Sequence, residues 1–381
     1  MGAALMLAAL LAGTAAARAE ETTAIEIFVS AGAMEQETAL RLCALAQETY
    51  PQAVWRVTFE EDVGVSLRER VLDDRAPQVV LCAPQEALVW AREGLLTPLD
   101  GRVSGLSRMA QEVVDACVTD ETLYVAPLLA THRRVAVNAD LLIARGLGYL
   151  LDERAHPVWM PSELYQAMEE STLAGVPAME LWLPQADNAA AIEAFAQALY
   201  GGRVAEPDGE GMLVAMTWLR DLAQSGWITL VADRQTALAH FVGGQTMLFI
   251  DWTDAEEERF AQRMIDHGVN WVTVPYPSVT GRPVRSFDLT GAAVFAGDDA
   301  QAVALSRQAV SLWSQEDRSA LGERGVWQDG AVWLPCLGAG EGGGTLRGLF
   351  CDAVREMLTG SQSPEGALRQ LREVMRAVSG E

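Results

Sequence analysis

The sequence contains no lysine: its 28 basic residues are all arginine, set against 52 acidic ones. At a formal net charge of -24 the surface repels phosphate backbones rather than collecting them, which excludes nucleic acid as a partner. Cysteine is sparse and unpatterned. Cys43, Cys82, Cys117, Cys336 and Cys351 show no C-x-x-C spacing, so they resemble neither a zinc site nor a thioredoxin-type redox pair. His132, His156, His240 and His267 lack metal-ligand spacing, and no P-loop, G-x-S-x-G elbow or H-E-x-x-H occurs. Gly338-x-Gly340-x-x-Gly343 matches the dinucleotide fingerprint in form, but too little chain follows it for the required strand, helix and strand, so it reads as a loop. Acidic runs such as Asp73-Asp74 and Glu256-Glu257-Glu258 read as solvated faces. A two-carboxylate glycoside hydrolase stays formally open, because so many acidic residues always permit a pair. No catalytic residue, metal or cofactor is expected.

Long apolar runs are also missing after residue 19. Residues 1–19 (MGAALMLAALLAGTAAARA) close on Ala17-Arg18-Ala19, the pattern a signal peptidase cuts after. Their apolar stretch of about 15 residues is shorter than the roughly 20 needed to span a bilayer. A cleavable export signal is therefore expected, with a mature chain from Glu20 that works in the periplasm or outside the cell. The Lys or Arg that usually opens such a signal is absent, so the start codon is open. No cysteine stands at the cleavage site to take a lipid. Export permits disulfides, with Cys336 and Cys351 the nearest pair in sequence.

What remains is longer than one hydrophobic core usually serves, which predicts two domains. Residues 24–30 (AIEIFVS), 54–59 and 77–83 (PQVVLCA) read as buried strands. Helices are expected between them at 34–50 and 67–74, the second capped by Ser66 with Glu69. This alternation implies a parallel sheet with right-handed crossovers. A helix at 84–93 stops at Gly94, a turn and strand are expected at 120–127, and another short strand at 134–137. The rhythm restarts with strands at 179–183, 246–250, 272–275 and 292–295 and helices at 189–199, 212–225 and 300–314. Near the end Ser363 is placed to N-cap the last helix, with Pro364 at its first position.

Five stretches, in order, resemble the extracellular solute-binding proteins of ABC importers, family 1, the sugar-binding branch typified by maltodextrin receptors. They are Ala76–Val80 with AREGLLTPLD at 91–100, Tyr124–Pro127 with VAVNADLL at 135–142, PVWMPSEL at 157–164, HFVGGQTMLFIDW at 240–252, and Leu358-Thr359-Gly360 with Ser363–Leu368. Gln78 stands where the family usually has Asp. The resemblance implies an α/β, two-lobed type II periplasmic-binding-protein fold, each lobe a central mixed sheet flanked by helices and joined by hinge strands. It places residues 20–130 plus 276–315 in an N-lobe and 131–275 plus 316–381 in a C-lobe. It also implies a monomer, not an enzyme, that delivers a small polar ligand, most readily a sugar or oligosaccharide, to ABC permease subunits. Presenting the bound form to a membrane signalling protein, or taking a non-sugar solute such as a polyamine, are the alternatives.

In α/β sheets ligands bind beyond the carboxyl ends of the strands, so loop position nominates the site. The nominees are Ser30, Gly32, Gln85 and Glu86 from the first lobe, Thr131 and His132 just past the crossing, Trp182, Gln185, Asp251 and Trp252 from the second, and Tyr276 and Asp288 from the return. Trp252 leads, because sugar rings stack their C–H faces on aromatic planes. Trp182 reads equally as core and His132 equally as a structural histidine. Trp55, Trp90, Trp218, Trp227, Trp271 and Trp313 sit in apolar periodic runs and read as packing.

Overall fold

A computed structural model describes residues 23–30, 33–60, 63–73, 75–109, 111–183, 189–202, 209–266, 268–315, 332–335 and 343–379. The expected export segment, Gly32, Gln185, Cys336 and residues 338–342 lie outside them.

The chain opens as β1 (Thr23–Ser30), α1 (Gln36–Thr49), β2 (Ala53–Glu60), α2 (Val63–Leu72), β3 (Val79–Cys82) and α3 (Pro84–Arg92). All three strands are parallel. The expected run of alternating elements is thus present, with one shift. The second helix begins at Val63, so Ser66 lies inside it and donates to Glu60 Oε2 at 3.2 Å instead of capping. Gly94 ends α3 at φ 75°, and the Leu95 N–H closes back on the Trp90 carbonyl, as a left-handed helix terminus requires. Gln78, the departure from the family pattern, accepts from the Glu26 N–H of β1 at 2.8 Å, so its amide serves the sheet.

A short helix α4 (Gln111–Asp115) and a hairpin of β4 (Val118–Thr119) and β5 (Thr122–Leu123) lead into β6 (Val125–Asn138). The sequence predicts a turn and strand at 120–127 and a separate short strand at 134–137; the turn closes the hairpin, and a single 14-residue strand runs from Val125 through the second stretch. Pro127, with no N–H to give, sits where the ladder slips between Thr290 and Gly291.

Next come α5 (Ala139–Ala144), α6 (Pro161–Leu173), β7 (Met179–Trp182), α7 (Ala189–Tyr200), α8 (Glu210–Gln224), β8 (Ile228–Val231), α9 (Arg234–Val242), β9 (Leu248–Thr253), α10 (Asp254–Asp266) and β10 (Trp271–Val274). The chain returns through β11 (Val284–Val294), then α11 (Ala300–Trp313), β12 (Val332–Pro335), α12 (Gly343–Leu358) and α13 (Pro364–Ser379). Ser363 Oγ accepts from the Gly366 N–H at 3.1 Å, the expected cap of the last helix.

The strands hydrogen-bond in the order β2-β1-β3-β11-β6-β9-β7-β8, with β10 on β6 and β12 on β11. One continuous ladder nevertheless serves two cores. The first gathers Ile25 through Ala130 with Phe287 through Trp313. The second gathers Val135 through Val284 with Phe350 through Leu371, and a neighbouring aromatic cluster adds Trp182, Phe241, Phe249, Trp252 and Phe260. The chain therefore passes between the halves on β6 around residues 131–134 and on β11 around 285–286. Tyr276, expected in the first lobe, packs in the second core, because β10 and the segment after it pair with the far end of β6. Among the described residues no helix is long and apolar enough to cross a membrane.

Candidate functional site

Register locates the carboxyl edge of the strands. In the first half β3 ends at Cys82, opposite Gly291, so residues 284–290 of β11 project beyond the carboxyl edge of the parallel strands. Asp288 of that projection pairs with Thr131 of β6. In the second half the last residue of β9, Thr253, pairs with Arg133. The carboxyl ends of both sets of strands therefore converge on residues 131–133 of β6, the location chemistry favours for ligand capture in α/β sheets.

The groups at this convergence are ionic. Arg133 holds Asp288 through Nε at 3.0 Å and again through Nη2, and its Nη1 reaches Asp251 Oδ1. Asp251 also accepts from Arg234 Nε at 2.9 Å, while Arg234 Nη1 donates to Glu256 Oε1 at 3.0 Å. The Thr253 N–H and hydroxyl both donate to Glu256 Oε2. Burial opposes the charge on Glu256, but Arg234 and Thr253 outweigh it and hold the carboxyl below its usual range. Burial likewise opposes the Arg234 charge, and Asp251 with Glu256 outweigh that too, so its pKa is raised. The Asp251 side chain is 2% exposed, whereas that of Asp288 is 34% exposed. Asp288 is thus the member that meets solvent, fixed in place by a guanidinium anchored in the other half. A carboxylate held that way accepts hydrogen bonds from hydroxyl or amine groups in a defined direction.

The first-half rim adds Ser30, which ends β1 and is buried, and Gln85, which is half-buried in the first turn of α3. The Thr290 hydroxyl donates to the Ala33 carbonyl, tying the loop after β1 to β11. Glu86 is buried with its carboxylate against the Cys82 thiol; burial first, and then this carboxylate, push that thiol well above its usual pKa. Its surroundings make Glu86 a packing partner of β3.

The aromatic nominees are placed otherwise than expected. Trp252 is 0% exposed, enclosed by Phe241, Phe249, Phe260 and Trp271. Trp182 stacks on Phe249 at 5.3 Å and 15°, also in the core. Tyr276 is buried and donates its hydroxyl to the Ile250 carbonyl at 2.7 Å. None of the three rings presents a face to solvent, since each is enclosed by its own half's core. His132 is buried too, on the face of β6 opposite Thr131 and Arg133.

Arg133, Arg234 and Glu256 were not nominated from the sequence. Side chains on a strand alternate, so Thr131 could share a face only with Arg133, and that rule was available in the pattern Thr131-His132-Arg133. Phe59 is a further omission. It is 40% exposed near the carboxyl end of β2, one row from the pair Ser30 and Glu60. Among the described residues no group of three or more His, Cys, Asp and Glu is arranged to hold a metal ion.

No protein-family model matches the sequence, and no curated protein is similar to it. Solved structures do match. The sugar-binding protein MalE from Xanthomonas citri superposes with a TM-score of 0.72 at 17% identity, over 92% of this chain and 96% of that one. The substrate-binding protein Lmo0181 from Listeria monocytogenes, in complex with cycloalternan, gives 0.68 at 14% identity over 94% and 100%. A family 1 extracellular solute-binding protein from Bifidobacterium longum subsp. infantis gives 0.72 at 12% identity over 92% and 98%. The fold is the type II periplasmic-binding-protein fold.

Proposed function

We propose that this chain is an exported solute-binding protein that captures a sugar or oligosaccharide between two lobes and delivers it to an ABC import permease. The lobes are the two halves with separate cores, and β6 and β11 are the hinge strands. The observation that carries the reading is the convergence at residues 131–133, where the carboxyl ends of strands from both halves meet across two strands common to both halves. Such strands let the halves rotate while their cores stay intact, and a ligand touching both favours the closed form by the contacts it makes only there. The sugar assignment draws on the similar structures, whose described ligands include cycloalternan and whose members include a sugar-binding MalE. Binding alone, without turnover, is the activity proposed.

In this site the hydroxyl-reading group is Asp288, oriented by Arg133 and paired with Thr131, with Ser30 and Gln85 further along the same edge of the first half. Phe59 is the aromatic surface we assign to the first-lobe rim. A second reading rests on the same carboxylate: with Trp182, Trp252 and Tyr276 enclosed, Asp288 would equally serve a cationic solute such as a polyamine. A melting-temperature screen separates the two. Binding only the folded state raises the transition by mass action. The sugar reading expects maltooligosaccharides to raise it saturably; a flat response to every saccharide with a rise from spermidine would transfer the assignment to the second reading.

A further inference from the structure

The outer face of the first half carries a cavity that ligand capture in the cleft does not use. Its volume is about 420 Å³, and it lies between Tyr50, Arg102 and one face of α11 with its continuation, residues 304, 307, 308, 311, 312 and 315. That helix spacing of three and four puts these side chains on one stripe. α1 starts just past the carboxyl end of β1, and its 14 residues carry the chain about 21 Å before Tyr50. The cavity is therefore at the opposite rim from the cleft.

Two guanidiniums line it, Arg102 and Arg307. Neither makes an ion pair among the described residues, in a chain whose formal charge is -24. The Nε of Arg307 is shielded from solvent and makes no hydrogen bond among the described residues, a donor whose burial costs free energy until an acceptor arrives. The wall is braced rather than loose: Ser311 Oγ donates to the Arg102 carbonyl at 2.7 Å, and Gln315 Nε2 donates to the Ser311 carbonyl at 3.1 Å. Ala304, with only a methyl group, leaves the space open, while Gln308 and Tyr50 offer neutral polar atoms beside the charged ones. Planar guanidiniums without carboxylate partners suit bidentate binding of phosphate or carboxylate oxygens.

We propose that this cavity is a second binding site, for a small organic anion held through a phosphate or carboxylate group by Arg102 and Arg307. It is independent of cleft occupancy. The test is isothermal titration of the mature protein with inorganic phosphate, pyrophosphate and citrate, at ionic strength fixed with sodium chloride. One-to-one saturable binding is expected for at least one of them, the phosphate and citrate arms deciding which oxyanion is preferred. Arg307→Gln should weaken it by about tenfold or more, through loss of a charge-assisted donor. Ala304→Leu, at an exposed helix position, should block it sterically without changing charge. Absence of saturable binding with all three anions overturns the proposal, as does binding that persists unchanged in both variants.

Discussion

Arg133 bridges two carboxylates that belong to different strands, and one of them is almost wholly buried. Removing one member of a buried ion cluster leaves the others unscreened, which costs more than the cluster itself contributes. Arg133→Met should therefore destabilise by about 3 kcal/mol in urea unfolding, while Asp288→Asn, at the exposed end, should cost about 1 kcal/mol or less. Equal losses would contradict the arrangement. Glu256 gives a signed pH dependence. Its folded carboxyl titrates below the usual value of 4.5, so its contribution is fully present above that pH and is lost as pH falls through the folded value. Comparing Glu256→Gln with the parent, the stability gap should be open at neutral pH and close in acid. At this scale the sequence was readable where a residue stood at a strand end and misleading where a neighbour's polarity suggested exposure. Loop position nominates Asp251 and Trp252 together for the site, yet the Asp251 charge is satisfied inside by Arg133 and Arg234.

Elements came through the sequence where periodicity ran uninterrupted, as in α1, α8 and α11. The two long shared strands, β6 and β11, did not, because residues 128–133 of β6 owe their extended form to pairing with β11, more than 150 positions away. Tertiary partners of that kind leave no local pattern. Gly291 is the sequence-visible trace of that pairing. A Cβ there would collide with the Val125 side chain and approach the Ala126 carbonyl to 3.0 Å. Gly291→Ala should cost about 1–3 kcal/mol, read as a lower melting temperature. The β4–β5 hairpin offers the reverse case. Asp120 and Glu121 both hold left-handed backbones, at φ 49° and 61°, which suit the turn but strain a side chain with a Cβ. Glu121→Gly should stabilise by about 1 kcal/mol, measured by chemical unfolding.

For the molecule as a whole, the two αβ series were legible because buried strands and amphipathic helices alternate twice along the chain. That they share one ladder was not legible, since it depends on β6 and β11 crossing between cores. The same two strands make the functional claim mechanical: rotation about residues 131–134 and 285–286 should draw the rim of Ser30, Gln85 and Asp288 toward the end of β9 without disturbing either core. Small-angle X-ray scattering of the protein, titrated with maltooligosaccharides, reads that motion directly. The radius of gyration should fall saturably as ligand is added, with the fall weakened in Asp288→Asn. A radius unchanged at saturating ligand, with binding verified by calorimetry in the same samples, would contradict capture by closure.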